Sequence, residues 1–244
     1  PYAGAVYDFG NGLSGYASYT NIFKPQDAQD RNGSFLEPIV GKSREVGVKA
    51  ASADNRLNAA FSVFNILQDN LAQADTEAMT PDGLNQAYYG AKGANSKGLE
   101  FEVSGEILPG WNAKLGYTHY NIKDQAGKAL NTTLPRSIFD VFTTYRVAAT
   151  RGKLVVGGGL RYQGDIWGLA WGADSTGSVL QRRSEQASYA LVNLMARYEF
   201  TPQTSLQFNL NNALDKNYLT QLNFYQTKSY GTPRNLLLTL VHRY

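Results

Sequence analysis

Gly98-Leu-Glu-Phe-Glu-Val-Ser104 decides the fold class. Leu99, Phe101 and Val103 fall on one side of an extended chain and Glu100, Glu102 and Ser104 on the other, because successive strand side chains point to opposite faces. The same period of two recurs where Leu206, Phe208 and Leu210 oppose Gln207, Asn209 and Asn211. It recurs again where Leu236, Leu238, Leu240 and Tyr244 oppose Asn235, Thr239 and Arg243. Working outward, alternation and turn residues predict about eleven strands. They are Tyr2–Asp8, Leu13–Thr20, Ser43–Ala50, Leu57–Asp69, Lys97–Ile107, Trp111–Tyr120, Arg136–Val147, Leu154–Asp165, Ser188–Phe200, Thr204–Asn211 and Pro233–Tyr244.

The connections between these strands alternate in length. Short ones (Asp8–Gly12, Ala51–Asn55, Leu108–Gly110, Ala148–Lys153, Thr201–Gln203) are each followed by a long one (Asn21–Lys42, Asn70–Ser96, Asn121–Pro135, Ile166–Gln186, Asn212–Thr232). A soluble sandwich or solenoid has no reason to gather every long loop at one end. A transmembrane antiparallel β-barrel of the Gram-negative outer membrane does, with tight periplasmic turns and long outer loops. The polar faces, rich in glutamate, asparagine and arginine, suit a wet lumen, and the apolar faces suit lipid. Sixteen tyrosines and eleven phenylalanines, many near strand ends (Tyr7, Trp111, Tyr145, Tyr162, Tyr198, Phe200), suit the aromatic girdles of the two interfaces.

Composition excludes other classes. No apolar run approaches the roughly 18 residues of a transmembrane helix. The chain lacks cysteine, which removes disulfides, thiol nucleophiles and thiolate metal sites together. A net charge of +3 spread over 244 residues, without a basic block, speaks against a nucleic-acid partner. His119 and His242 are the only histidines, and they lie far apart. Asp27, Asp30 and Glu37 share one long loop and present a calcium-type donor set, which such loops more often leave solvated.

Eleven is odd, whereas bacterial single-chain barrels have even counts. An open sheet in lipid strands two rows of backbone groups at several kcal/mol each. The expectation is therefore a count wrong by one, or a chain that supplies half of a bigger barrel. No signal peptide precedes Pro1, so the N-terminus is trimmed or the chain is part of a longer one. Tyr244 closes the last alternating strand on an aromatic, the kind of terminal signal the outer-membrane assembly machinery reads, and suggests a natural C-terminus.

Several motifs carry a family resemblance. Phe35-Leu-Glu-Pro-Ile-Val-Gly-Lys-Ser-Arg-Glu-Val-Gly-Val-Lys49 resembles the L-x-P-x-x-G-x-x-x-E-x-G-x-K signature of TonB-dependent siderophore receptors, matching at Leu36, Pro38, Gly41, Glu45, Gly47 and Lys49. Upstream, Tyr16 to Gln26 resembles the Y-x-x-Y-x-x-x-F-x-P-Q strand of that family. Downstream, Phe64 to Asn70, Ser96 to Glu102, Asn209 to Tyr218 and Tyr230 to Asn235 are similar to later family segments, in the right order along the whole chain. On the residues themselves, Glu45 and Lys49 sit on the lumen side of one strand. Asn211, Asn212 and Asp215 read as turn formers, and Pro233 and Arg234 as a strand entry. These signature residues, with Tyr244, are expected to serve barrel assembly more than ligand contact.

The resemblance implies a barrel of about 22 strands filled by an N-terminal plug, here represented by the C-terminal half. It also implies uptake of a ferric siderophore, most similar to the hydroxamate and pyoverdine type, energised by TonB through a plug not visible in these residues. The partners implied are the chelate, the lipid bilayer, the TonB complex and the assembly machinery. No cofactor or metal held by protein side chains is expected. Ligand contacts would come from the outer loops, where aromatic and cationic groups suit a bulky chelate. The candidates are Tyr88, Tyr89, Trp167, Trp171, Tyr225 and Tyr230, with Trp167 and Trp171 foremost in the glycine-lined Gly164–Gly172. Loop packing is an equal reading for each. The alternatives are a self-closed porin, an outer-membrane hydrolase using His119 with Asp124 or Asp140, and a receptor for haem, cobalamin or carbohydrate.

Overall fold

The computed structural model describes residues 1–173, 179–224 and 227–243. The strands are β1 (Tyr2–Gly10), β2 (Leu13–Lys24), β3 (Ile39–Ala51), β4 (Leu57–Asp69), β5 (Leu71–Met79), β6 (Gln86–Ala91), β7 (Ala94–Leu108), β8 (Trp111–Lys123) and β9 (Ser137–Val147). They continue as β10 (Leu154–Gln163), β11 (Ile166–Ala173), β12 (Val179–Gln186), β13 (Tyr189–Glu199), β14 (Thr204–Asn211), β15 (Leu219–Phe224), β16 (Thr227–Tyr230) and β17 (Asn235–His242). An 11-stranded antiparallel sheet runs in the order β1-β2-β3-β4-β7-β8-β9-β10-β13-β14-β17. These correspond one for one to the strands read from alternation. β1 and β17 lie at its two edges and are not paired with each other.

The remaining six strands form three two-stranded hairpins, β5-β6, β11-β12 and β15-β16. They lie inside connections that the sequence suggested only as loops. A correction also applies to the first long connection: β2 continues to Lys24 and β3 starts at Ile39. Residues 21–24 therefore pair with 39–42 instead of looping. The turns at the other end are tight, as in Asn11-Gly12, whose φ values of 53° and 76° give the left-handed pair that a short hairpin needs.

Register assigns each face. One row across the sheet reads Gly15, Val48, Phe61, Phe101, Tyr117, Phe139 and Tyr162, each the partner of the next. The neighbouring row on the opposite face reads Tyr16, Gly47, Ser62, Glu100 and Thr118. Burial is inverted relative to a soluble protein: Leu240 is 67% and Val46 58% exposed on the first face, whereas Ser62 and Ser96 on the second are 6% and 7% exposed. An apolar face left this bare is covered by lipid, and the polar face is the lumen. Aromatics mark the turn end of the lipid face. Tyr7 meets Phe9 edge-on at 4.9 Å, Tyr198 meets Phe200 at 5.0 Å, and Trp111 Nε1 donates to Thr143 Oγ1 at 2.7 Å.

At the loop end, Ala91, Ala94, Ile122 and Leu130 form a buried apolar cluster, with Leu71 and Tyr120 packed against it. The Arg136 guanidinium lies over the Tyr120 ring at 5.1 Å and donates to the Leu130 carbonyl. This knot seats the hairpin β5-β6 on the barrel wall.

Candidate functional site

Long loops hold a ligand well only when something orders them, and here hydrogen bonds and an ion pair tie each to its neighbour. The Tyr88 amide donates to the Gln29 carbonyl at 2.8 Å, joining the first connection to β6. The Arg31 Nη2 to Asp75 Oδ2 contact of 2.6 Å joins it to β5. Gln73 Nε2 donates to Asn131 Oδ1 at 2.8 Å, and the Trp167 amide to the Thr132 carbonyl at 2.9 Å. The Leu219 amide donates to Gln186 Oε1 at 2.7 Å. Each long connection is thus laced to the next.

Between the first two long connections lies an open cleft of about 400 Å³ lined by Asp30, Arg31, Leu36, Asp75, Tyr88, Tyr89 and Gly90. Arg31 holds the Asp75 carboxyl below the usual carboxylate range, chiefly by its hydrogen bonds, and the Glu77 amide adds to this. Asp30 is lowered as well, by the amides of Ser34 and Asn32, which donate to Oδ1 at 2.9 and 2.8 Å. Asp30 is therefore occupied in closing its own turn. Among the described residues, no group of three histidines or carboxylates is arranged to hold a metal, so Asp27, Asp30 and Glu37 do not converge.

Tyr88 and Tyr89, proposed from sequence, both line this cleft. Lys128 Nζ stands 5.7 Å from the centre of the Tyr89 ring and 3.3 Å from its hydroxyl. Trp167 is on β11, paired with Glu185 of β12, and the Arg183 guanidinium covers its ring at 4.4 Å. Arg183 also pairs with Glu185. Trp171 pairs through its backbone with Gln181, and its side chain lies outside the described residues. Tyr225 and Tyr244 lie outside them too. Tyr230 ends β16 opposite Leu219 and is 77% exposed. Arg31 in the cleft and Lys128 beside Tyr89 had no sequence signal: their partners lie 44 and 39 residues away.

The signature residues occupy the wall. Tyr16 lies over Gly47, whose Cβ, if present, would sit 2.6 Å from the ring. That approach lets the Tyr16 hydroxyl donate to Glu45 while Lys49 Nζ stands 5.0 Å over the ring. At the other end of the chain, Asn212 forms the turn read from sequence, its carbonyl accepting from the Asp215 amide at 2.8 Å, and is also a buried hub. Its side chain donates to the carbonyls of Lys216 (2.9 Å) and Thr232 (3.2 Å) and accepts from the Lys216 amide (2.8 Å). Asp215 accepts from the Arg234 amide at 3.0 Å, and its carboxylate faces the Arg234 guanidinium at 3.7 Å. Pro233 precedes β17, which starts at Asn235.

The hydrolase constellation does not form. His119 faces outward in the row of Leu99 and Ser137, and its Nδ1 meets Ser137 Oγ at 2.7 Å. Asp140 is on the lumen face against Arg161, and Asp124 accepts from the Lys128 amide in its own turn.

A membrane-spanning sheet with tight turns at one end and laced, aromatic-bearing connections at the other defines a stretch of outer-membrane barrel wall with an ordered outer mouth. The chain belongs to the TonB dependent receptor-like β-barrel family, which it matches over residues 1–213. Members of this family are proteins of the Gram-negative outer membrane, and its siderophore receptors act in iron transport. The chain is 41% identical over 244 residues to the ferripyoverdine receptor of Pseudomonas aeruginosa, covering 98% of this chain and 29% of that protein. It is 39% identical over 242 residues to the ferric-pyoverdine 358 receptor of Pseudomonas putida, covering 98% and 28%. The crystal structure of the P. aeruginosa ferripyoverdine receptor bound to ferripyoverdine superposes with a TM-score of 0.86 at 40% identity, over 99% of this chain and 32% of that one. The chain thus spans less than a third of the length of these relatives.

Proposed function

We propose that the protein containing this chain is an outer-membrane receptor and transporter for a ferric siderophore of the pyoverdine type, energised by the TonB complex. The observation that carries this reading is near-full-chain likeness to ferripyoverdine receptors, at 41% identity to one of them. The chain would form the C-terminal half of a larger barrel, with the edges of β1 and β17 paired to strands from elsewhere in the polypeptide. Closure of that kind satisfies the backbone groups that lipid would otherwise strand. A plug in the lumen would contact TonB.

In this reading the laced loops work as a preorganised mouth. Ordering before the ligand arrives lowers the entropic cost of binding. Tyr88 and Tyr89 offer rings, and Arg31 and Lys128 offer cations for the acidic and carbonyl groups of a chelate. Trp167 and Tyr230 would extend the aromatic surface, while Trp171 and Tyr225 are candidates on sequence alone. The iron travels as cargo inside its chelator, so the protein needs no metal ligands of its own.

The test is titration of the intact purified receptor with ferric pyoverdine and, in parallel, a ferric trihydroxamate and haem. Saturable binding of pyoverdine at submicromolar concentration, with uptake abolished in cells lacking TonB, is the expected result. Preference for haem, or uptake independent of TonB, would overturn the proposal.

A further inference from the structure

The lipid-facing side of the sheet is not uniform. Just outside the apolar band on β3, β4, β7 and β8, two rows of outward residues carry Lys42, Arg44, Lys97 and Lys123. Register places Arg44 opposite Asn65, Asn65 opposite Lys97 and Lys97 opposite Asn121. In the next row outward, Lys42 is opposite Leu67, Leu67 opposite Asn95 and Asn95 opposite Lys123. The Asn65 amide donates to Asn95 Oδ1 at 2.7 Å, bracing the middle of the patch. All four cations are exposed, and no ion pair is recorded for any of them among the described residues.

The asymmetry is sharp. The outward residues of β9, β10, β13, β14 and β17 include no Lys, Arg, Asp or Glu: β10, for example, shows Leu154, Val156, Gly158, Leu160 and Tyr162. The one outward carboxylate near the patch, Asp69, has its Oδ1 engaged by the Gly93 amide at 2.7 Å. Height on the wall fits an interface. From Trp111 in the inner girdle to Asn121, opposite Lys97, is ten residues, about 34 Å along a strand. At a tilt of about 40° that is roughly 26 Å across the membrane, the thickness of the apolar band. The cations thus stand at the headgroup level of the outer leaflet. Arg44 and Lys97 are two strand spacings apart, roughly 10 Å, and Lys42 and Lys123 about 14 Å, so their long side chains can converge on a pair of phosphates.

We propose that this patch binds the phosphate groups of a lipid headgroup in the outer leaflet, namely the lipid A phosphates of lipopolysaccharide. A neutral headgroup gives four clustered cations no partner, and a zwitterionic one offers a single phosphate already offset by its own ammonium. A phosphorylated glycolipid matches both the charge and the apolar wall directly beneath it, where Val46, Val63 and Leu99 would take its acyl chains. The site faces away from the lumen and does not depend on which chelate the receptor carries.

The test uses the intact receptor in detergent micelles, with lipid retention read by native mass spectrometry. The probes are lipid A with two, one or no phosphates, and inorganic phosphate as a competitor. The wild type should hold the diphosphorylated lipid at least tenfold more tightly than the dephosphorylated one. Arg44→Gln with Lys97→Gln should abolish that preference, while Lys97→Arg and the lumen-side variant Lys114→Gln retain it. If the double variant assembles poorly, Lys42→Gln and Lys97→Gln singly should each lower retention severalfold. Equal retention of dephosphorylated lipid, an unchanged double variant, or displacement by millimolar inorganic phosphate (an anion site only) would each overturn the proposal.

Discussion

Arg31 and Asp75 meet at 2.6 Å although 44 residues separate them, and this contact fastens the first outer connection to the hairpin β5-β6. Asp75 is nearly buried while Arg31 is largely exposed, so solvent screens the pair. Asp75→Asn should therefore speed proteolytic nicking of residues 71–91 by about fivefold, the scale of one screened ion pair. The barrel itself should be unchanged, and an unaltered nicking rate would show that the tether carries nothing.

The same pair fixes a pH dependence. The folded-state value of Asp75 is lowered by Arg31, so its contribution is complete above the ordinary aspartate value of about 3.9. It is lost only as pH falls through the lowered folded value. Hydrogen exchange in β5 and β6 should be flat, after correction for intrinsic rates, from pH 5 to 8 and rise only in stronger acid. A rise near pH 6 would point to another group.

Trp167 under Arg183 is the most exacting test of the binding mouth. Trp167→Ala in the intact receptor should weaken ferric-pyoverdine affinity by about tenfold or more, the usual scale for a buried aromatic anchor. Arg183→Gln, which keeps the ring, should cost less. Affinity unchanged in both would remove this hairpin from the site.

Gly47 has its own prediction, because Tyr16 and the Phe61 carbonyl would lie 2.6 and 2.7 Å from any Cβ there. Gly47→Val must displace the ring and part it from Glu45 and Lys49. Overpacking of this kind costs about 1–3 kcal/mol, to be read as a lower urea midpoint in vesicles. An unshifted midpoint would show that the ring moves freely.

Asn212→Ala removes three hydrogen bonds at a buried position. The orphaned backbone groups should cost about 2–3 kcal/mol, whereas the same change at half-buried Asn211, whose amide meets only Asn235, should cost less. Equal losses would contradict the hub role.

Side-chain alternation determined the eleven wall strands and their faces, and the alternation of short and long connections gave the membrane as their solvent. A strand's side-chain period is local and survives whatever surrounds it, so Leu99, Phe101 and Val103 announced the lipid face without a partner in view. Strand edges were less secure. Asn21 to Lys24 looked like loop until pairing with residues 39–42 showed otherwise, because propensity says little about where a ladder stops. The outer mouth belonged to the tertiary structure. Neither Arg31 with Asp75, nor Lys128 with Tyr89, nor the packing of Ala91, Ala94, Ile122 and Leu130 leaves a pattern in sequence, since each joins segments brought together only by the register of the wall. The same holds for the four outward cations. Lys42, Arg44, Lys97 and Lys123 are scattered along the chain, and only hydrogen bonding between strands sets them side by side.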